Sequence, residues 1–161
     1  MKVSDQDIAQ LNEHLAFKLN QMRDYHALTV SLLNCEVGQV LQLLEARRHI
    51  IDEVNAADLR IKRCLSVAED ASLSAVAQAL RGREVFLQDA RFSGALTQAK
   101  QIYILLKDIS IIDKKLITKT EKERGGMVEE LKGMSGQRRV VDTLYFTAKP
   151  SSVGARYDFK K

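Results

Sequence analysis

The spacing of apolar residues between Leu41 and Leu65 constrains the fold more than any other feature of this sequence. Residues three and four positions apart lie on one face of an α-helix, whereas residues on one face of a β-strand recur at every second position. The spacing therefore predicts one long amphipathic helix, from about Glu36 to Val67. Its inner face is expected to consist of Leu41, Leu44, Arg48, Ile51, Val54, Asp58, Ile61, Leu65 and Ala68.

Two charged residues, Arg48 and Asp58, lie on this predicted inner face. A charged group that faces an apolar core is costly unless it is paired or its side chain extends to water. We interpret the two residues as an edge of the face that reaches solvent. The alternative is that they belong to the signature of a protein family.

A first helix is predicted ahead of this one. It should begin near Asp5, because Ser4 is a favourable N-cap and Asp7 places negative charge in the first turn. It is expected to break or kink within residues 34–38, which contain an Asn and a Gly. Its inner face consists of Ile8, Leu11, Leu15, Leu19, Met22, Tyr25, Leu28, Leu32 and Leu33.

Two more helices are predicted in the second half of the chain. A short third helix follows Asp70 or Ser72, either of which can serve as its N-cap, and Gly82 is expected to interrupt it. Residues 92–94 are expected to form a turn that leads into a fourth helix. The inner face of the third helix consists of Leu73, Val76, Leu80 and Leu87, and that of the fourth consists of Ile102, Leu105, Ile109, Ile112, Leu116 and Thr120.

The composition of the 161 residues favours helices over sheets. The chain has no Trp, one Pro and only 6% aromatic residues, whereas β-sandwiches and barrels need aromatic strands and many turn residues. The predicted fold class is all-α, an elongated antiparallel bundle of three to four long helices. We expect residues 1–146 to form a helical bundle domain and residues 147–161, which contain the single Pro, to form a flexible basic C-terminal tail.

Positive charge is concentrated toward the C-terminal end of the sequence. Residues 1–113 carry 13 Lys and Arg against 15 Asp and Glu, whereas residues 114–161 carry 12 against 6. The charges are mixed rather than blocked and lack interleaved aromatic residues, so we expect a solvated helix face and no nucleic-acid partner. Because the sequence shows neither an apolar run of about 18 residues nor a signal peptide, no membrane span is expected and a cytoplasmic location is predicted.

No pattern in the sequence predicts catalysis or a cofactor. Motifs of phosphate-binding loops, zinc proteases and nucleophile elbows are missing. Glu45, His49 and Glu53 share a helix face, but two arginines beside the histidine would repel a cation. Cys35 and Cys64 lie far apart among apolar neighbours, which is typical of small buried side chains. We therefore predict a protein that is not an enzyme and that holds no metal, disulfide or cofactor.

The charged segment after residue 120 continues the helical spacing but is weakened by glycine. Met127, Leu131 and Met134 extend the apolar stripe, while each of four glycines between residues 125 and 136 costs the helix about 1 kcal/mol relative to alanine. Such a helix is marginal alone, and a partner helix packed against the stripe would order it. The alternative is that the stripe packs on the chain's own helices.

Three segments of the chain resemble one protein family. Residues 31–61 contain a leucine pair, a basic pair, an aliphatic pair and a downstream Asp, namely Leu43-Leu44, Arg47-Arg48, Ile50-Ile51 and Asp58. The sequence ILLKDISIIDKKLI places Asp113 and a lysine pair after aliphatic residues, and the chain ends with Tyr145 and the segment Arg156–Lys161. These segments resemble bacterial flagellar export chaperones of the FlgN/FliT kind.

The resemblance implies a cytosolic, non-enzymatic chaperone that holds the helical ends of hook-filament junction or filament-cap subunits before type III export. It also implies that the C-terminal region supplies much of the cargo contact. The expected partner-binding residues are Met127, Leu131, Met134, Val141, Leu144 and Tyr145. One alternative is a helical adaptor or coiled-coil-like homodimer without a chaperone role. Another is binding of nucleic acid or an acidic surface through the basic end, which would weaken steeply with salt.

Overall fold

The computed structural model describes residues 2–132 of the protein, and within this range the chain is helical and contains no strand. Short 3-10 turns, Val37–Gln39 and Ala90–Phe92, precede the second and fourth helices. The predicted all-α helical bundle is confirmed. The α-helices are α1 (Asp5–Asn34), α2 (Val40–Leu65), α3 (Ala71–Ala79) and α4 (Ser93–Lys132).

The chain divides into two compact units, Met1–Ile109 and Ser110–Lys161. The first unit contains α1, α2, α3 and the beginning of α4, and the second contains the remainder of α4. The predicted tail, residues 147–161, lies outside the described residues, as do residues 133–146 of the predicted bundle domain.

The capping residues predicted for α1 adopt their expected roles. Ser4 Oγ accepts a hydrogen bond from the Asp7 backbone N–H at 3.1 Å, and the Asp7 carboxylate accepts one from the Ser4 N–H at 3.2 Å. This reciprocal capping box satisfies two backbone donors at the start of the helix. The predicted break is also present, because Cys35 is extended after α1 ends. The second helix begins at Val40 rather than near Glu36, since the residues between them form the 3-10 turn.

The third helix is shorter than its apolar spacing predicts. Asp70 is its N-cap and accepts hydrogen bonds from the N–H groups of Ser72 and Leu73 at 2.7 and 3.2 Å, so Ser72 lies inside the helix. Gly82 has a φ of 77°, a left-handed conformation that ends the helical turn and that glycine adopts at little cost. The predicted continuation to Leu87 is therefore wrong. Leu87 follows Gly82 in a non-helical segment.

The core of the first unit consists of two clusters of buried apolar side chains. Phe92, which was predicted to lie in a turn, is fully buried in the first cluster, and α4 begins immediately after it. The second cluster is smaller and lies where α1, α2 and α4 meet. The first cluster includes Leu11, Leu15, Leu19, Ile61, Leu73, Val76, Phe92, Ala95, Ala99 and Ile102, and the second consists of Met22, Tyr25, Val54 and Ile109.

The two charges on the inner face of α2 have different environments. Asp58 forms an ion pair and hydrogen bond with Lys18 of α1, which is only 4% exposed. Arg48 is exposed and the Asp58 side chain is 33% exposed, so the interpretation that both residues reach solvent holds fully for Arg48 and partly for Asp58. Leu41 is 65% exposed, contrary to its predicted place in the core, because the α2 residues that enter the apolar clusters begin at Ile50.

Substitution of Gly82 is expected to destabilise the first unit. An added Cβ at this position would overlap the ring of Tyr103, and the positive φ would be strained for alanine. We expect Gly82→Ala to lower the free energy of unfolding by about 3 kcal/mol in chemical denaturation. Gly38→Ala is the control, because no atom lies within 4 Å of its added Cβ and its change should stay within about 0.5 kcal/mol.

The Tyr103→Ala background separates the two causes. If the ring is responsible for part of the cost, Gly82→Ala should cost only about 1–2 kcal/mol in that background, which is the conformational part. An equal cost in both backgrounds would show that the ring of Tyr103 moves aside freely.

Removal of Asp58 alone is expected to destabilise the protein more than removal of both residues of the ion pair. Asp58→Asn should lower the free energy of unfolding by about 3 kcal/mol, because it removes the carboxylate that compensates the buried Lys18 ammonium. The double variant Lys18→Met with Asp58→Leu should lie within about 1 kcal/mol of the parent chain.

Arg48→Met serves as the matched control, since this exposed charge should change the free energy by no more than about 0.5 kcal/mol. A similarly small effect of Asp58→Asn would mean that other contacts of the Lys18 ammonium compensate its burial.

Candidate partner-binding surface

Most residues of the predicted family signature hold α2 against α1. The guanidinium of Arg47 lies over the ring of Tyr25, 4.5 Å from its centroid, and donates a hydrogen bond to the Tyr25 hydroxyl. Cation–π contacts of this kind contribute about 0.5–2 kcal/mol. Ile50 and Ile51 pack against the second apolar cluster. Arg47, Ile50 and Ile51 therefore have a packing role in this chain, whereas Arg48 is exposed.

The late part of α4 carries two glycines with open surroundings and an exposed methionine. Met127 is 40% exposed. No described atom lies within 4 Å of a Cβ built on Gly125 or Gly126. At Gly94, by contrast, an added Cβ would lie 3.2 Å from the side-chain oxygen of Asn12. Packing within the described part of the chain therefore explains the glycine at position 94 and leaves the pair at 125 and 126 unexplained.

The predicted partner-binding residues fall partly within the described range. Met127 lies in α4 and is exposed, and Leu131 follows it by four residues in the same helix. Residues four apart in a helix share a face. The other four predicted residues, Met134, Val141, Leu144 and Tyr145, lie outside the described residues.

A basic face on α4 lies on the N-terminal side of Met127. Its side chains line a shallow depression of about 410 Å³. Lys119 pairs with Glu123 at 3.7 Å, and the Thr118 hydroxyl donates to the Lys114 carbonyl at 3.0 Å. Clustered lysines attract negatively charged groups, with a strength that salt reduces. The depression is lined by Lys114, Lys115, Thr118, Lys119 and Lys122.

Three exposed apolar residues of the first unit were not predicted as surface features. Val37 is 73% exposed, Leu41 is 65% exposed and Phe86 is 96% exposed. The helical spacing assigned Leu41 to the core. The sequence gives no two-residue period that would place Phe86 on the surface, because Val85, Phe86 and Leu87 are three consecutive apolar residues.

The described residues lack the features of a metal site and of a membrane-spanning helix. Within residues 2–132 no group of three or more His, Cys, Asp or Glu side chains could hold a metal ion, and no helix has the length and hydropathy to cross a membrane. The thiols of Cys35 and Cys64 are unlinked and half-buried. Burial, with a smaller effect from the charge of Asp7, raises the pKa of the Cys64 thiol.

Comparison of the chain with known protein families, curated proteins and solved structures finds no match.

Alanine at the open glycines is expected to strengthen the late part of α4. Gly125→Ala and Gly126→Ala should each stabilise the local helix by about 1 kcal/mol, because alanine has the higher helix propensity and no described atom blocks its Cβ. Hydrogen exchange of the full chain measures this as slower exchange at amides around residues 122–130. The parent chain should show its fastest helical exchange there.

Gly94→Ala provides a matched control, since its Cβ would press against Asn12 and should bring no such gain. Faster exchange in the Gly125 or Gly126 variants would mean that these glycines hold the helix in a packed arrangement.

Proposed function

We propose that this protein is a non-enzymatic chaperone that holds a helical segment of an export cargo, in the manner of the flagellar export chaperones that its sequence resembles. The cargo would be a hook-filament junction or filament-cap subunit, held in the cytoplasm before type III export. The late part of α4, around Gly125, Gly126 and Met127, would supply part of the binding surface.

The open glycine pair beside an exposed methionine is the observation that carries this proposal. Glycine in a helix is unfavourable by about 1 kcal/mol relative to alanine, and at Gly125 and Gly126 no described neighbour offsets this cost. Without Cβ atoms, the helix backbone can be approached closely by another helix. Met127 follows the two glycines directly and is exposed, and a methionine side chain adapts its shape to different apolar partners. An amphipathic cargo helix fits such a surface.

The architecture and the basic face add support. The chain is an all-α bundle, which is compatible with the helical segments on which the resemblance rests. The lysines at positions 114, 115, 119 and 122 would steer a cargo segment with acidic flanks toward α4. Steering of this kind accelerates association more than it strengthens the final complex.

Co-expression with candidate flagellar cargo, followed by size exclusion, tests the proposal directly. The full chain should co-elute with a hook-associated or cap protein, and with a fragment that contains only the terminal helix of that cargo. Absence of a complex with any of these proteins would contradict the proposed function.

Met127→Glu tests the position of the surface. A methionine buried by a partner contributes about 1.5–3 kcal/mol, so the substitution should weaken cargo binding at least tenfold. The melting temperature of the chain alone should be unchanged, because the side chain is 40% exposed. Ile104→Glu is the matched control, since Ile104 also lies on α4 and is 59% exposed but belongs to the first unit.

The double variant Leu131→Glu with Met134→Glu extends the test along the predicted stripe. It should weaken cargo binding and leave the melting temperature of the chain nearly unchanged. If this variant unfolds the protein, the stripe belongs to the protein's own core and the proposed surface is misplaced.

A further inference from the structure

Phe86 is the most exposed large apolar side chain in the described part of the protein. It is 96% exposed. The remaining aromatic residues between positions 2 and 132 are buried or half-buried, namely Phe17, Tyr25, Phe92 and Tyr103. A partner that covered this ring would remove its apolar area from water, which is favourable.

The segment that carries Phe86 is held against the core from one side. Val85 and Leu87 are half-buried and pack against the first apolar cluster, whereas Glu84, Phe86 and Gln88 are exposed. This alternation is that of an extended chain with one face inward. Within residues 2–132 the backbone groups of residues 84–88 form no hydrogen bond, so their N–H and C=O groups are open to a partner.

Both ends of the segment are fixed. On one side the N–H of Arg83 donates to the carbonyl of Gln78 at 3.1 Å, next to the turn at Gly82. On the other side Asp89 caps the 3-10 turn and accepts a hydrogen bond from the Arg91 N–H at 3.0 Å. A partner would therefore meet a segment that is already ordered, which reduces the entropy lost on binding.

We propose that a second copy of this chain covers the segment, with residues 84–88 of the two copies pairing as antiparallel strands about a two-fold axis at Phe86. In this pairing alternate residues of the segment exchange backbone N–H···O=C hydrogen bonds with the other copy, and the two Phe86 rings lie side by side. Val85 of one copy lies opposite Leu87 of the other, so the inward faces remain apolar. An isologous contact of this kind closes as a dimer.

Charge complementarity favours a second copy over an unrelated strand. The two-fold pairing places Arg83 of each copy opposite Asp89 of the other. Asp89 and Asp5 share one guanidinium, that of Arg91, at 2.7 and 2.6 Å, and the charge of Lys2 also acts on Asp89. Side-chain hydrogen bonds from Arg91 also hold the pKa of Asp89 below its ordinary value, which keeps the carboxylate ionised. Arg83 of each copy thus lies opposite an ionised carboxylate of the other copy, once at each end of the paired segments.

Sedimentation of the full chain over a range of concentrations tests the proposal. The contact is small, so the dimer should be weak and its population should rise with concentration. Phe86→Asp should be monomeric at every concentration and keep the melting temperature of the parent monomer, because its side chain is exposed in the monomer. Leu59→Asp, at another apolar position that is 62% exposed, should dimerise like the parent chain.

Substitutions at Gln88 test the register, because this residue lies opposite Glu84 in the two-fold pairing. Gln88→Lys creates two cross-strand ion pairs and should lower the dissociation constant about three- to tenfold, whereas Gln88→Glu creates two like-charge contacts and should raise it by a similar factor. Both effects should shrink at high salt. Glu84 and Gln88 are both exposed, so the substitutions should not change the stability of the monomer.

A parent chain that stays monomeric at the highest concentration, or a dimer that survives Phe86→Asp, would overturn the proposal. Equal dissociation constants for the two Gln88 variants would overturn the antiparallel register. Capture of an unrelated extended peptide by a monomeric parent chain would assign the segment to a different partner and reject the second copy. Cargo binding by the Phe86→Asp variant distinguishes this test from that of the proposed function, since the proposed cargo surface lies elsewhere on the chain.

Discussion

The ion pair between Lys18 and Asp58 fixes how the two longest helices of the first unit meet. Its lysine is almost completely buried, and a buried ammonium is tolerated only where a carboxylate compensates it. The pair joins residues 40 positions apart in the chain. Shifting α2 along α1 by one residue would rotate Asp58 away from Lys18. Apolar packing alone would select this register of the two helices less strongly, because leucine and isoleucine side chains can pack against several different neighbours.

A second polar contact reinforces the same arrangement closer to the connection between the helices. Arg47 stacks on Tyr25 and donates to its hydroxyl. Moving forward along α1 from Lys18 to Tyr25 corresponds to moving backward along α2 from Asp58 to Arg47, which defines an antiparallel pair. With α1 and α2 fixed, α3 and the start of α4 cover the remaining apolar face, and Phe92 fills the centre of that cluster.

The surfaces assigned to partners differ in what exposes them. Phe86 projects because the positive φ of Gly82 ends α3 and directs the chain across the core in an extended form, with its neighbours anchored inward. The ring of Tyr103 lies close against Gly82, so the turn tolerates no other residue without rearrangement. Met127 and the adjacent glycines instead lie on a regular helix, and the backbone there is accessible because glycine has no side chain. A strand-like edge suits a symmetric partner, whereas an open helix face suits another helix.

The sequence by itself determined the helical class, the approximate helix positions and the caps at Ser4 and Asp70, because helix spacing and capping depend on residues within one or two turns. Of the partner-binding residues it proposed, Met127 is exposed in α4. Only the tertiary structure decided that Asp58 pairs with Lys18, that Leu41 lies outside the core and that Phe86 projects into solvent. The physical reason is that periodicity shows which residues share a face, whereas burial and charge pairing depend on segments far away in the chain that cover that face.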